Sequence, residues 1–269
     1  MSAAAAETSQ HDRRVVIEDV THQYATKGQR VTALEDINLT IEPGEFVCLA
    51  GPSGCGKTTL LQLIAGFLRP SDGRITLGGQ EVRGPSAERG VVFQQPNLYP
   101  WMTVRKNVEL GPKLRRVAKA EREAQAKTYL DMVGLGDFLD RRPYELSGGM
   151  QQRAQIARVL TNDPDIILMD EPFGALDALT RERLQAELLT IWRNTGKTIF
   201  FITHSVEEAI FLGSRVLVMS ARPGHVVYDK PVDFLSTMDA DMPVGQMRSL
   251  PAFVRMRDEV SNEIHASGG

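Results

Sequence analysis

Strands alternating with helices along most of the chain predict an α/β fold with a largely parallel sheet. Three observations carry that expectation. The continuous apolar run FVCLA (Phe46–Ala50) looks like a strand buried on both faces, and Ile166–Met169 and Thr198–Thr203 read as further strands with a helix between them. A stretch from Thr103 to Leu160 is helical in character, contains no convincing strand, and reads as an insertion in the α/β alternation. The length, 269 residues, allows one large domain or two small ones at about 100–200 residues each.

In chain order, residues 1–13 are Ala- and Ser-rich, lack the apolar core of a secretory signal, and read as a disordered tail. Val15–Val20 and Ile37–Ile41 have strand composition. Leu60–Leu68 reads as a helix ending before Pro70, and Arg74–Leu77 and Val91–Phe93 as strands. Lys119–Met132, rich in Ala, Glu, Lys and Gln, and Met150–Leu160, starting near Ser147, read as helices. Leu179–Thr195 is a helix whose Leu184, Leu188, Ile191 and Trp192 share one face. Val216–Met219 is a further strand; a polar, Pro-containing connector follows Lys230, then a short helix at about Pro251–Ile264.

Composition narrows the function classes. The charged fraction is 24% and no stretch approaches the roughly 18 consecutive apolar residues of a spanning helix. A net charge of -3 argues against a dedicated nucleic-acid binder. The 2 cysteines, Cys48 and Cys55, have no partner at metal-ligand spacing and read as ordinary thiols in a reducing compartment.

GPSGCGKTT, comprising Gly51, Pro52, Ser53, Gly54, Cys55, Gly56, Lys57, Thr58 and Thr59, follows an expected strand and opens an expected helix. Glycines let successive N–H groups face an anion, and the helix N-terminus adds its dipole. Lys57 would reach the β- and γ-phosphates, and Thr58 could hold Mg²⁺. A second site follows in IILMDEP. Asp170 would end a buried strand beside the phosphate loop and support Mg²⁺, and Glu171 would polarise a water attacking the γ-phosphate. An isolated Asp-Glu pair would more often cap a turn; the phosphate loop in the same chain favours hydrolysis. In LSGGMQQR, Ser147, Gly148 and Gly149 open another helix and form either an N-cap with flexible glycines or a second anion site. Two such helix starts, roughly 90 residues apart, exceed what one triphosphate end requires of one chain.

With these motifs in order, residues 14–230 resemble the ATP-binding subunit of an ABC transporter. The resemblance implies a P-loop NTPase fold with a RecA-like core, antiparallel N-terminal strands and a helical subdomain inserted at about 96–161. Residues 231–269 would be a C-terminal extension with a short helix. It also implies a head-to-tail dimer in which the Leu146–Gln151 signature of one copy closes on ATP held by the other. Tyr24 resembles the aromatic that stacks on adenine. Gln94, with Gln95 as the alternative, resembles the glutamine near Mg²⁺ and the attacking water. Asp177 resembles the residue coupling the two sites, and His204 the switch histidine at the γ-phosphate. Two positions depart from the pattern: Met150 stands where many members have Gln, and Ser205 where Asp is commoner.

GPSAERGVVFQQPNLYPWMTVRKNV and PAFVRMRDEV are similar to the branch importing nitrate, aliphatic sulfonates and taurine, with taurine importers the best match. The branch implies membrane permease subunits, an indirect solute-binding protein, no nucleic-acid partner, and a peripheral place on the cytoplasmic face of the inner membrane. Gln94–Trp101 would lie near the permease. Nitrate, bicarbonate and pyrimidine importers stay open. A soluble ABC-type ATPase of another role and a phosphate-loop kinase are competing classes; the first would be expected to carry two ATPase halves or long heptads, the second would have no use for LSGGMQQR.

Overall fold

In a computed structural model of the chain, residues 13–26, 28–174, 176–234 and 244–267 are described. The expected tail lies outside them up to residue 12, as does the expected connector over 235–243. The chain forms two compact units, one from the residues up to Ser86 together with those from Lys197 onward, the other from Ala87–Gly196.

The first unit starts with β1 (Val15–Thr26), β2 (Gln29–Ile41), β3 (Phe46–Ala50), α1 (Lys57–Ala65), β4 (Asp72–Leu77) and the two-residue β5 (Gln80–Glu81). The second contains β6 (Arg89–Val92), α2 (Val104–Val108), α3 (Leu110–Leu114), α4 (Lys119–Met132), α5 (Gly148–Leu160), β7 (Ile166–Asp170) and α6 (Ala178–Thr195). The chain re-enters the first unit with β8 (Thr198–Ile202), α7 (Val206–Leu212), β9 (Arg215–Met219), β10 (Val226–Pro231), α8 (Val244–Arg248) and α9 (Pro251–Ser267).

Two sheets organise the first unit. An antiparallel one has the order β2–β1–β4–β5. Its buried residues, among them Val15, Ile17, Ile37, Leu39 and Ile41, alternate with polar ones, as expected of a sheet with one wet face. In the other, β3 lies between β8 and β9 in parallel pairing, and β10 closes the edge antiparallel to β9. Every residue of FVCLA and TIFFI is buried, which explains why these strands carry no polar alternation. α9 packs on α7 and β9 through buried Phe253, Met256 and Val260.

The helix expected over Leu60–Leu68 instead runs Lys57–Ala65. Gly66 ends it in the left-handed conformation, φ 80°, with its N–H on the last-turn carbonyls. The apolar Phe67 and Leu68 extend the composition of the helix but not the helix. In the second unit β6 and β7 pair in parallel. α5 lies on β6 and α4, burying Ala154, Ile156, Ala157 and Leu160. On α6, Leu184, Leu188 and Ile191 are buried as the expected stripe, and Trp192 is half-buried. Among the described residues no helix is long and apolar enough to cross a membrane.

Candidate functional site

The phosphate loop is built where β3 stops. Gly51, Gly54 and Gly56 have φ of 151°, 75° and 103°, values that L side chains avoid. Space demands two of them as well: a Cβ on Gly51 would lie 2.7 Å from the Met219 carbonyl oxygen, and one on Gly56 2.6 Å from Leu34 Cδ2. Lys57, the first residue of α1, is buried, and its ammonium folds back over the loop. Nζ donates to the carbonyls of Gly51 at 2.8 Å and Pro52 at 3.0 Å. The Cys55 N–H points across the loop to the Pro52 carbonyl at a long 3.4 Å. A fixed positive charge, a helix N-terminus and inward N–H groups make this a site for a polyanion.

Two other expected residues of the first unit lie beside the helix start or follow the strand next to β3. Tyr24 Oη lies 3.2 Å from Thr59 Oγ1, in the first turn of α1, and its ring meets His22 edge-on at 4.7 Å. The Tyr24 ring remains partly exposed beside the helix start. Leu49 of β3 pairs with Ile202 of β8, so the loops after these two strands leave side by side. His204 is exposed in the second of them. Its backbone is fixed on both sides: the Thr203 N–H binds the Leu49 carbonyl at 3.1 Å, and Ser205 caps α7 by accepting from the Glu208 N–H. The departure at Ser205 thus serves as a helix cap. Thr58 is exposed.

In the second unit, β7 delivers Asp170 half-buried at its end, followed by Glu171 at φ 44°. A non-glycine residue held there stores backbone strain, which is common where side chains are aimed for chemistry. The turn is closed by the Gly174 N–H on the Glu171 carbonyl at 3.1 Å. A methyl on Gly174 would lie 3.2 Å from the Gln94 amide nitrogen and 3.8 Å from Glu171 Oε2, so the structure brings Gln94 and Glu171 to one place. Gln95 is exposed. The turn bearing Gln94 is held by two residues with no expected role. Buried Gln152 and Gln155 of α5 both donate to the Phe93 carbonyl at 3.4 Å. Two amides among the buried Ala154, Ile156 and Ala157 mark the positions in the sequence without naming the carbonyl they hold.

Ser147 caps α5, its hydroxyl accepting from the Met150 N–H at 3.3 Å. The cap uses the backbone of Met150, which any residue supplies, so this departure leaves the helix start intact. Gly148 is exposed with open space around it, whereas Gly149 is buried with a would-be Cβ 2.9 Å from Thr180 Cγ2. Gln151 pins the approach by donating to the carbonyls of Pro143 and Leu146. Asp177 caps α6 through the Thr180 N–H at 3.0 Å, and that bond holds its carboxyl below the ordinary Asp range. In the segment Gln94–Trp101, Leu98 turns inward, while Trp101, 66% exposed, stands against the Tyr99 ring at 5.3 Å. Among the described residues both cysteines are buried free thiols. Burial, with Glu208 contributing, pushes the Cys48 thiol well up, so it stays protonated.

A family model described as ABC transporter matches residues 34–174, more than half of the chain. The chain belongs to the ABC transporter family, as one of its ATP-binding proteins. This ABC ATPase is 52% identical over 234 residues to the taurine import ATP-binding protein TauB of Jannaschia sp. (strain CCS1), covering 87% of each chain. It is 55% identical over 223 residues to an uncharacterized ABC transporter ATP-binding protein, MJ0412, of Methanocaldococcus jannaschii, covering 82% of this chain and 84% of that one. Among solved structures, the ATP-binding cassette MJ0796, a dimer in a post-hydrolysis state bound to ADP and phosphate, superposes with a TM-score of 0.71. The two are 35% identical over 81% of this chain and 98% of that one. The ABC ATPase therefore has the P-loop NTPase fold of these cassettes, with a mixed parallel sheet and an antiparallel N-terminal sheet, and its reaction is ATP hydrolysis.

Proposed function

We propose that the chain is the motor subunit of an importer for taurine or a closely related alkanesulfonate. The observation that carries this reading is the likeness to a taurine import protein across 87% of both chains, supported by a glycine-rich loop with the Lys57 ammonium folded over it. In this reading residues 14–230 form the nucleotide-binding domain, with a helical subdomain at about 96–161 and a C-terminal extension from 231.

The residues divide the work as follows. Tyr24 offers its ring to the adenine. The N–H groups of Gly51–Thr59 and the Lys57 ammonium hold the phosphates. Thr58, Asp170 and Gln94 offer hydroxyl, carboxylate and amide oxygens, a donor set of the hard type that suits Mg²⁺. That ion, when bound, would neutralise phosphate charge. Glu171 accepts hydrogen-bonding from the attacking water, aimed by its strained backbone, while Gln94 orients that water and His204 senses the γ-phosphate. Ser147, Gly148 and Gly149 of a second copy supply the remaining anion site, and Asp177 links the two halves. ATP favours the closed pair and ADP does not, so nucleotide state shifts a two-state equilibrium. In this reading the exposed Trp101 face would meet the permease, and the pair would sit peripherally at the cytoplasmic face of the inner membrane.

The test is ATPase activity of the chain reconstituted with its permease and solute-binding protein in vesicles. Stimulation by taurine or alkanesulfonates, and not by nitrate, bicarbonate or pyrimidines, supports the reading. Stimulation by one of the latter alone moves the chain to another solute, and stimulation by nucleic acid without the permease removes it from transport.

A further inference from the structure

The turn between β9 and β10 lies directly behind the phosphate loop, and none of the roles above uses it. Met219, the last residue of β9, and Arg222 and Gly224 of the turn lie against the loop at Gly51, Gly54 and Cys55. The Met219 carbonyl is the atom that leaves no room for a Cβ on Gly51. The Arg222 guanidinium lies against Gly54, its Nε donating to the Gly54 carbonyl at 3.1 Å and its Nη2 3.0 Å from where a Cβ would be. Gly224 fits against the Cys55 carbonyl so closely that a Cβ there would come within 2.0 Å of it.

A trans peptide points its C=O and N–H in opposite directions. With the Gly54 carbonyl turned out to Arg222, the Cys55 N–H must turn in, and it does so, reaching across the loop toward Pro52. With the Cys55 carbonyl backed by Gly224, the Gly56 N–H turns the same way. The turn is itself braced. The Gly224 N–H binds the Ala33 carbonyl, and its own carbonyl accepts from the Glu35 N–H, both at 3.0 Å. Ser220 and His225 exchange hydrogen bonds across its base. The Ala221 N–H binds the Ser267 carbonyl at 2.9 Å, so the last turn of α9 holds the residue before Arg222.

We infer that this turn presets the phosphate loop, and that Arg222 is a positioning residue for nucleotide phosphates. Its guanidinium fixes a peptide plane in the anion-binding orientation before the ligand arrives, so that binding does not have to order it. The inference rests on the nucleotide-binding reading of the loop.

The experiment uses the full chain with Arg222→Ala and Arg222→Lys, measuring ATP affinity in EDTA and melting of the nucleotide-free protein. Loss of one charge-assisted bond at an exposed site should weaken ATP binding about fivefold in Arg222→Ala. Arg222→Lys, which can still donate to the Gly54 carbonyl, should recover part of that loss. Melting without nucleotide should stay within about 2 °C of wild type. Unchanged affinity in Arg222→Ala overturns the inference. So does an affinity loss that Lys does not reduce, or one accompanied by a clear fall in melting temperature, which would make Arg222 a folding residue. Wild-type protein that binds no ATP would instead overturn the nucleotide reading, and this inference with it.

Discussion

Replacing Lys57 by Met keeps most of the buried stem and removes the ammonium, which separates two roles of this side chain. Without nucleotide, the ammonium makes hydrogen bonds of 2.8 and 3.0 Å to carbonyls of its own loop. Bonds to a charged group are worth about 1.5–3 kcal/mol each, and removing a buried charge returns part of that sum as desolvation. The net loss for Lys57→Met should be about 1–2 kcal/mol. For a chain of this size, that lowers the melting temperature by about 2–8 °C. With nucleotide, wild-type protein at a hundred times its Kd should gain about 2.7 kcal/mol, and the variant should gain almost nothing at the same concentration. Thermal melting in EDTA, with and without ATP, reads both effects. A variant that melts with wild type in the absence of nucleotide, and still shows the full ATP shift, would refute the loop's account.

Tyr24→Phe loses only the bond to Thr59 and should leave ATP affinity within about twofold, whereas Tyr24→Ala should cost about 1–3 kcal/mol of base stacking. Competition with inorganic triphosphate checks this, since equal losses in both variants would mean the ring does not stack. Glu171→Gln should bind ATP as wild type does and lose turnover by about 10²–10⁴ in single-turnover assays; normal hydrolysis would remove Glu171 from its role. The Asp177 carboxyl, held low by the Thr180 N–H, stabilises α6 above the ordinary Asp range and ceases to as pH falls through its folded-state value. The difference in melting temperature between wild type and Asp177→Ala should therefore be largest near neutral pH and close as the pH falls below the ordinary Asp range. A difference that does not vary with pH would contradict the capping role.

The sequence revealed those elements whose burial is uniform. FVCLA is apolar throughout and TIFFI is apolar after Thr198, because both faces of β3 and β8 are covered, and such runs announce themselves. The helices Lys119–Met132 and Ala178–Thr195 were legible from composition and a one-sided stripe. Edge elements were not. β10, VVYDKP, has mostly exposed or half-exposed residues, and the first half of β2 is largely exposed, so neither has an apolar pattern to read. α7 has little local signal, because VEEAIFL is short, carries Glu207 and Glu208 in its first turn, and is capped by Ser205, which looks like loop. The motif positions of the site were visible because phosphate chemistry constrains neighbouring residues. Arg222, Gln152 and Gln155 were not, because each acts on a backbone carbonyl distant in sequence, 168, 59 and 62 residues away. Nothing local to those side chains declares such a partner.

In the proposed reading, a chain with two anion-binding helix starts needs a twin to use both. Light scattering of the Glu171→Gln protein, with and without ATP, tests that need most directly. The expected result is a mass that doubles when ATP is added and returns to one copy when the nucleotide is removed. A single-copy mass at saturating ATP, with nucleotide demonstrably bound, would contradict it.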